Sequence, residues 1–182
     1  MPRVLLPLAT GFEEIEAITI VDILRRAGVE VVMGSLEGLH VKGAHGIVVI
    51  ADTLLCELES KDFDMIVLPG GLPGATNLAK DTKVLALLQD FDKDKKHIAA
   101  ICAAPLALKS AGVLKNHYTC FPSFEKHIAH QGYSDKLSVV CDANITTSKG
   151  PSTAMVFSLK LVEILCGQDM VQKLQKELLL VS

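Results

Sequence analysis

Short runs of almost unbroken apolar residues recur along the chain, spaced so that a helix fits between them. Residues 3–8 read RVLLPL, 29–35 VEVVMGS, 64–68 DMIVL and 97–101 HIAAI, with further runs at 46–51, 118–120, 138–141 and 145–147. A strand with one solvated face alternates apolar and polar residues. These runs do not, so they fit strands buried on both faces, as in parallel sheets. Helical patterns at 13–27, 82–92, 104–111, 123–130, 152–165 and 170–178 fall between them. This alternation predicts a doubly wound α/β fold, a mostly parallel sheet with helices on both faces. The stretch VKGAHGIVVIAD, residues 41–52, breaks the rhythm and reads as a hairpin or edge ribbon.

With 182 residues, no internal repeat and no linker, the chain is expected to form one domain over 1–182. A formal charge of −3 without a basic run argues against nucleic-acid and membrane-surface partners. The N-terminus MPRVLLPLATGFEEIE turns acidic at once, unlike a signal or transit peptide, and no apolar stretch approaches the ~20 residues of a bilayer span. Five widely spaced cysteines without a Cys-x-x-Cys pair predict reduced thiols rather than a disulfide framework or a metal site. The expectation is therefore a cytoplasmic protein whose partners are small molecules or proteins.

In a doubly wound sheet, ligands bind at the carboxyl ends of the strands. Cys102 follows HIAAI directly and precedes small residues, as a tight strand-to-helix turn requires. Hydrolases of this architecture place their nucleophile on such a turn, where a helix N-terminus and free backbone N–H groups favour a thiolate. Cysteine is also a common small core residue, so position alone leaves nucleophile and filler open. Thr10-Gly11-Phe12-Glu13 has the form of a capping box, which would occupy Glu13 at the helix start. Glu16 shares its helical stripe with Thr19, Ile20, Ile23 and Ala27, so its carboxyl is either at the core rim or held for a purpose. If desolvated it would hold its proton and could donate to a nearby thiolate. In LPGGLPGA, residues 68–75, adjacent glycines either make a tight turn or expose backbone N–H groups to a reacting oxygen. The motif lacks the spacing of a dinucleotide or phosphate loop.

The segments GFEEIEAITIVDILRRAG, MIVLPGGLPGA, HIAAICAAP and TSKGPSTA occur together, in this order, across nearly the whole chain. They resemble the ThiJ/PfpI superfamily, in the branch of the parkinsonism-associated protein deglycase and bacterial YajL-type proteins. The resemblance implies a flavodoxin-like, class I glutamine amidotransferase-like fold, a homodimer, and a cysteine on a nucleophile elbow. On that pattern Cys102 is the nucleophile and easily oxidised thiol, and Glu16 is the protonated acid contacting its sulfur. The backbone N–H groups of Gly71 and Ala103 match the oxyanion hole; Gly70, Phe121, Gly150 and Pro151 match the pocket lining. Neither metal nor organic cofactor is implied. Some relatives carry His where Phe121 stands, and protease-like relatives place His directly after the cysteine, where this chain has Ala103, so a Cys-His dyad and a peptidase are not supported. His45 lies near a position where relatives carry a basic residue that reaches the partner's site. A solvated ribbon histidine is the alternative.

Two functions follow from one site. The first is an enzyme that adds Cys102 to small reactive aldehydes or glycated groups, as a glutathione-independent glyoxalase or protein deglycase. The second is a redox sensor or redox-regulated chaperone without essential turnover, in which Cys102 is the oxidation target.

Overall fold

The computed structural model describes residues 1–180. β1 (Arg3–Leu8) leads through α1 (Glu14–Arg26) to β2 (Glu30–Ser35), and a hairpin of β3 (His40–Lys42) and β4 (Val48–Ile50) precedes the short β5 (Thr53–Leu54). β6 (Met65–Leu68) is followed by α2 (Gly74–Leu78) and α3 (Thr82–Lys93), and β7 (His97–Ile101) by α4 (Pro105–Ser110) and α5 (Glu125–Ile128). β8 (Val139–Asp142) and β9 (Ile145–Ser148) lead into α6 (Ala154–Cys166) and α7 (Gln168–Glu177).

Seven strands form one sheet in the order β5-β2-β1-β6-β7-β9-β8, parallel except for the edge strand β8. The apolar runs are explained by which way successive side chains point. In β1, Val4, Leu6 and Leu8 enter the layer beneath α1 and α6, whereas Leu5 enters the opposite layer with α3 and α4. Met65 and Val67 of β6, and Ala99 and Ile101 of β7, face the first layer; Ile66, Leu68, Ile98 and Ala100 face the second. Each of these side chains is buried, so alternation changes the layer and not the exposure. Among the described residues no helix is long and apolar enough to cross a membrane.

Three local expectations change. The segment 41–52 does form a separate antiparallel hairpin, but the strand expected at 46–51 contracts to β4, Val48–Ile50. Residues 118–120 are buried without being a strand. Tyr118 makes one isolated bridge to Tyr133, and the N–H of Thr119 donates to the Thr147 hydroxyl at 2.9 Å. The place beside β7 is taken by β9, so this apolar segment finds burial without a ladder. The helix expected at 123–130 shrinks to α5, because Ser123 (φ 72°) and Ala129 (φ 48°) are both left-handed and bound it.

Candidate active site

The loops that leave β1, β6, β7 and β9 converge at the carboxyl edge of the sheet. Cys102 is the first residue beyond β7 and has φ +64°, a left-handed conformation that costs a non-glycine residue roughly 1–3 kcal/mol. Both of its backbone polar groups are engaged. Its N–H donates to the Ser148 carbonyl at 3.0 Å, and its carbonyl accepts from the Phe121 N–H at 2.9 Å. These contacts fix the corner and aim the side chain outward, leaving the residue 9% exposed. α4 starts only at Pro105 and is six residues long, so the thiol's favourable partners are the nearer N–H groups of Gly71 and Ala103 rather than a helix end.

Glu16 comes from the first turn of α1 and is fully buried. Its Oε2 accepts from the Gly70 N–H at 2.8 Å, while Oε1 has no partner. A Cβ on Gly70 would lie 2.5 Å from Cys102 Cβ and 2.8 Å from Glu16 Oε2, so only glycine admits the pair. Gly71 has φ +89° and passes so close to Glu13 that a Cβ would lie 2.2 Å from its backbone nitrogen. Burial pushes the Glu16 carboxyl up to about 7, against the Gly70 N–H and the Cys102 thiol, which favour ionisation; the Glu13 charge adds to the rise. Burial, followed by the Glu16 charge, pushes the Cys102 thiol up to about 12, opposed by the N–H groups of Gly71 and Ala103. The two acids thus crowd one desolvated corner, and ionising either raises the cost of ionising the other.

The thiol opens into a cavity of about 270 Å³ lined by Ala44, Leu72, Phe121 and Phe124 and by Glu13 and His45. Gly71 and Ala103 also line it, as does Phe121. Gly70 instead sits behind the thiol. Gly150 packs under the Phe121 ring, where a Cβ would meet Cδ2 at 3.2 Å, and Pro151 opens a 3₁₀ turn outside the cavity.

Glu13 departs from the capping-box reading. α1 begins at Glu14, with Glu13 itself at the N-cap and no side-chain cap, and Thr10 is exposed. The left-handed Gly11 (φ 87°) turns the chain between them, so the box cannot close, and the Glu13 carboxyl is free to face the cavity. His45 was the other residue left open. Its Nδ1 lies 2.9 Å from Glu14 Oε2 and 3.6 Å from Glu13 Oε2, and its backbone N–H donates to Glu14 Oε1 at 2.7 Å. The hydrogen bond to Glu14, then the Glu13 charge, raises the His45 pKa. Glu13, Glu14 and His45 bring ligand-type atoms within 4.8 Å of one another, an approach these hairpin contacts account for. Nothing in a single sequence marks a hairpin-tip histidine or a helix-start glutamate as neighbours of a cysteine far along the chain. His97, by contrast, is half-buried at the start of β7 against the Thr146 hydroxyl, where burial lowers it to about 4.

In architecture the molecule is a doubly wound α/β protein with a sharp, left-handed strand-to-helix corner at Cys102. The DJ-1/PfpI family profile matches residues 2–164, and the chain belongs to that family. It is 41% identical over 175 residues to protein dj-1beta of Drosophila melanogaster, covering 94% of each chain. It is also 41% identical over 170 residues to protein DJ-1 homolog B of Arabidopsis thaliana, covering 92% of this chain but 39% of that longer protein. The Caenorhabditis elegans glutathione-independent glyoxalase DJR-1.2 is 37% identical over 170 residues, covering 92% of this chain and 90% of its own. The crystal structure of Drosophila DJ-1beta superposes with a TM-score of 0.95 at 39% identity, covering 100% of this chain and 99% of the other. A structure of oxidized Toxoplasma gondii DJ-1 gives 0.92 at 38%, covering 98% of each.

The raised Glu16 has a measurable consequence. Unfolded, its carboxyl ionises near 4.5; folded, near 7. Below 4.5 both states hold the proton, and between the two values only the folded state does, so stability falls as pH rises through that window, by roughly 3 kcal/mol in all. Glu16→Gln lacks this titration. Thermal melts from pH 4 to 8 are expected to show the variant gaining on wild type between pH 4.5 and 7; a pH-independent difference would mean Glu16 does not titrate there.

Proposed function

We propose that the protein converts small 2-oxoaldehydes to hydroxy acids without glutathione, using Cys102 as nucleophile. The observation that carries this reading is the fully buried Glu16 carboxyl, with its unpartnered Oε1, set against an elbow cysteine. Transfer of the thiol proton to the Glu16 carboxylate gives the carboxyl a donor to use and leaves a thiolate facing the N–H groups of Gly71 and Ala103. That thiolate adds to the aldehyde carbon, and the same two N–H groups stabilise the developing oxyanion. Glu16 protonates the oxyanion, then as a carboxylate takes the proton from that carbon and returns it to the neighbouring one, while the proton on the first oxygen passes to the second. The first carbon is oxidised to a thioester and the second reduced to an alcohol, so no external oxidant is needed. Water then releases the acid and regenerates the thiol. The name of the C. elegans relative supports this assignment, and removal of early glycation adducts would use the same addition step.

With methylglyoxal and no glutathione, purified protein is expected to form lactate. Cys102→Ser should abolish turnover and Glu16→Ala should lower it about 10²- to 10⁴-fold. Full activity in either variant, with the fold intact, would rule out the mechanism.

The second reading, an oxidation-responsive sensor or chaperone, is favoured by the oxidized state of the Toxoplasma relative. The Gly71 and Ala103 N–H groups and protonated Glu16 would hold a sulfinate at Cys102 as they hold the thiolate. Mild peroxide followed by mass spectrometry is expected to oxidise Cys102 ahead of Cys56, Cys120, Cys141 and Cys166; equal oxidation of exposed Cys56 and Cys141 removes the basis for it.

We further propose a cytoplasmic homodimer. Five free thiols suit a reducing compartment, which cell fractionation tests. Ile15 and Ile18 on α1, with Ile47, Val48 and Ile50 on the hairpin that Glu14 ties to it, are exposed side chains a second copy would cover. Sedimentation should give a dimer that Ile15→Lys weakens; a monomeric wild type at micromolar concentration refutes it.

A further inference from the structure

Among the residues that line the cavity with Cys102 is one histidine, His45. His45 lines it from the β3–β4 hairpin and is opposite in exposure to Cys102: Cys102 is 9% exposed, whereas the His45 side chain is 69% exposed. The ring is not loosely placed. Glu14, itself buried, accepts from the backbone N–H groups of His45 at 2.7 Å and Ile47 at 3.3 Å, and its Oε2 holds Nδ1 at 2.9 Å. Gly43 presses against the same carboxyl so closely that a Cβ would lie 2.3 Å from Oε1. A carboxylate bound to Nδ1 fixes the tautomer and orientation of the ring and strengthens its other nitrogen as a base. Nε2 makes no hydrogen bond among the described residues, and it belongs to a solvent-exposed ring on a residue that lines the cavity with Cys102.

We infer that His45, oriented by Glu14, is the general base that activates the water hydrolysing the thioester on Cys102. The inference rests on the reading of Cys102 as an acyl-forming nucleophile. Nε2 takes a proton from water while the water oxygen bonds to the thioester carbonyl carbon. The intermediate then collapses, the carbon–sulfur bond breaks, and its electron pair leaves on the Cys102 sulfur, which the N–H groups of Gly71 and Ala103 receive. The proton on Nε2 passes to solvent. Carbonyl addition and the enediol step remain with Cys102 and Glu16. The two halves of the reaction thus use different acid–base groups, one buried and one exposed to water. Glu14 is a positioning residue in this scheme.

The test separates acylation from deacylation on the full chain. Wild type and His45→Ala are each treated with p-nitrophenyl acetate, nitrophenolate release reports acylation, and intact-protein mass spectrometry follows loss of the acetyl group from Cys102. The expected result is acylation within about twofold of wild type and deacylation slowed about tenfold or more, with added imidazole restoring the second step alone. Methylglyoxal should likewise leave a lactoyl thioester on Cys102 in the variant. A hairpin merely displaced by the substitution would slow both steps and would not respond to imidazole. That outcome, unchanged deacylation, or the absence of any acyl-enzyme on wild-type Cys102 overturns the inference. If wild type leaves methylglyoxal untouched but deacetylates through His45, the glyoxalase reading fails and the base assignment stands.

Discussion

A carboxyl group without solvent, hydrogen-bonded through one oxygen to a backbone N–H and left unpartnered at the other, is the constraint on which the rest of the site depends. Burying Glu16 in this way is unfavourable unless the group keeps its proton or finds a donor, and the rise to about 7 expresses that cost. The surrounding architecture keeps the group in place. α1 is pinned between the sheet and α6 by Ile20, Ile23 and Leu24, all essentially unexposed, so the helix cannot slide to return Glu16 to water. The unfavourable burial is thus held by core packing that has nothing else to do with the site.

The elbow follows the same logic on the backbone. Cys102 stays in a left-handed conformation because β9 and the segment at Phe121 take both of its backbone polar groups. Gly70 and Gly71 are needed for approach distance: Gly71 brings the β6 loop against the loop from β1, and Gly70 brings it against Cys102 and Glu16. Replacing either glycine would separate the groups whose closeness sets their acidity.

The layers of the fold were legible because strands buried on both faces leave no polar alternation, and β1, β6 and β7 carry that signature along their whole lengths. Residues 118–120 carry it too and still form no strand, since burial selects apolar residues whether or not a ladder partner is free. Cys102 and Glu16 could be picked out because strand ends and a mainly apolar helical stripe are local patterns. The Thr10–Glu13 turn hinges on a left-handed glycine packed against Pro73 and Gly74 of the loop from β6, a long-range contact that the local pattern does not carry. Glu13, Leu72 and His45 enter the cavity through contacts among β1, β6 and the hairpin, and no local pattern encodes such contacts.

Three glutamates within four positions meet three different environments, and their chemistry divides accordingly. Glu14 is as buried as many core residues, yet the hydrogen bonds from His45, His45's own amide and Ile47 outweigh burial and lower its pKa. Glu16 has one such N–H and is raised. Glu13, at the N-cap, faces the cavity with His45 beside it. The donors available to Glu14 and Glu16 thus separate their acidities: Glu14 is held as an anion that anchors the hairpin, whereas Glu16 ionises far less readily. Because the hairpin supplies Glu14's donors and Glu14 fixes the hairpin, the hairpin side of the cavity and the ionisation of Glu14 are one structural unit. The sheet places the Cys102 sulfur at its carboxyl edge; Ala44 and His45 of the hairpin complete the cavity beside it.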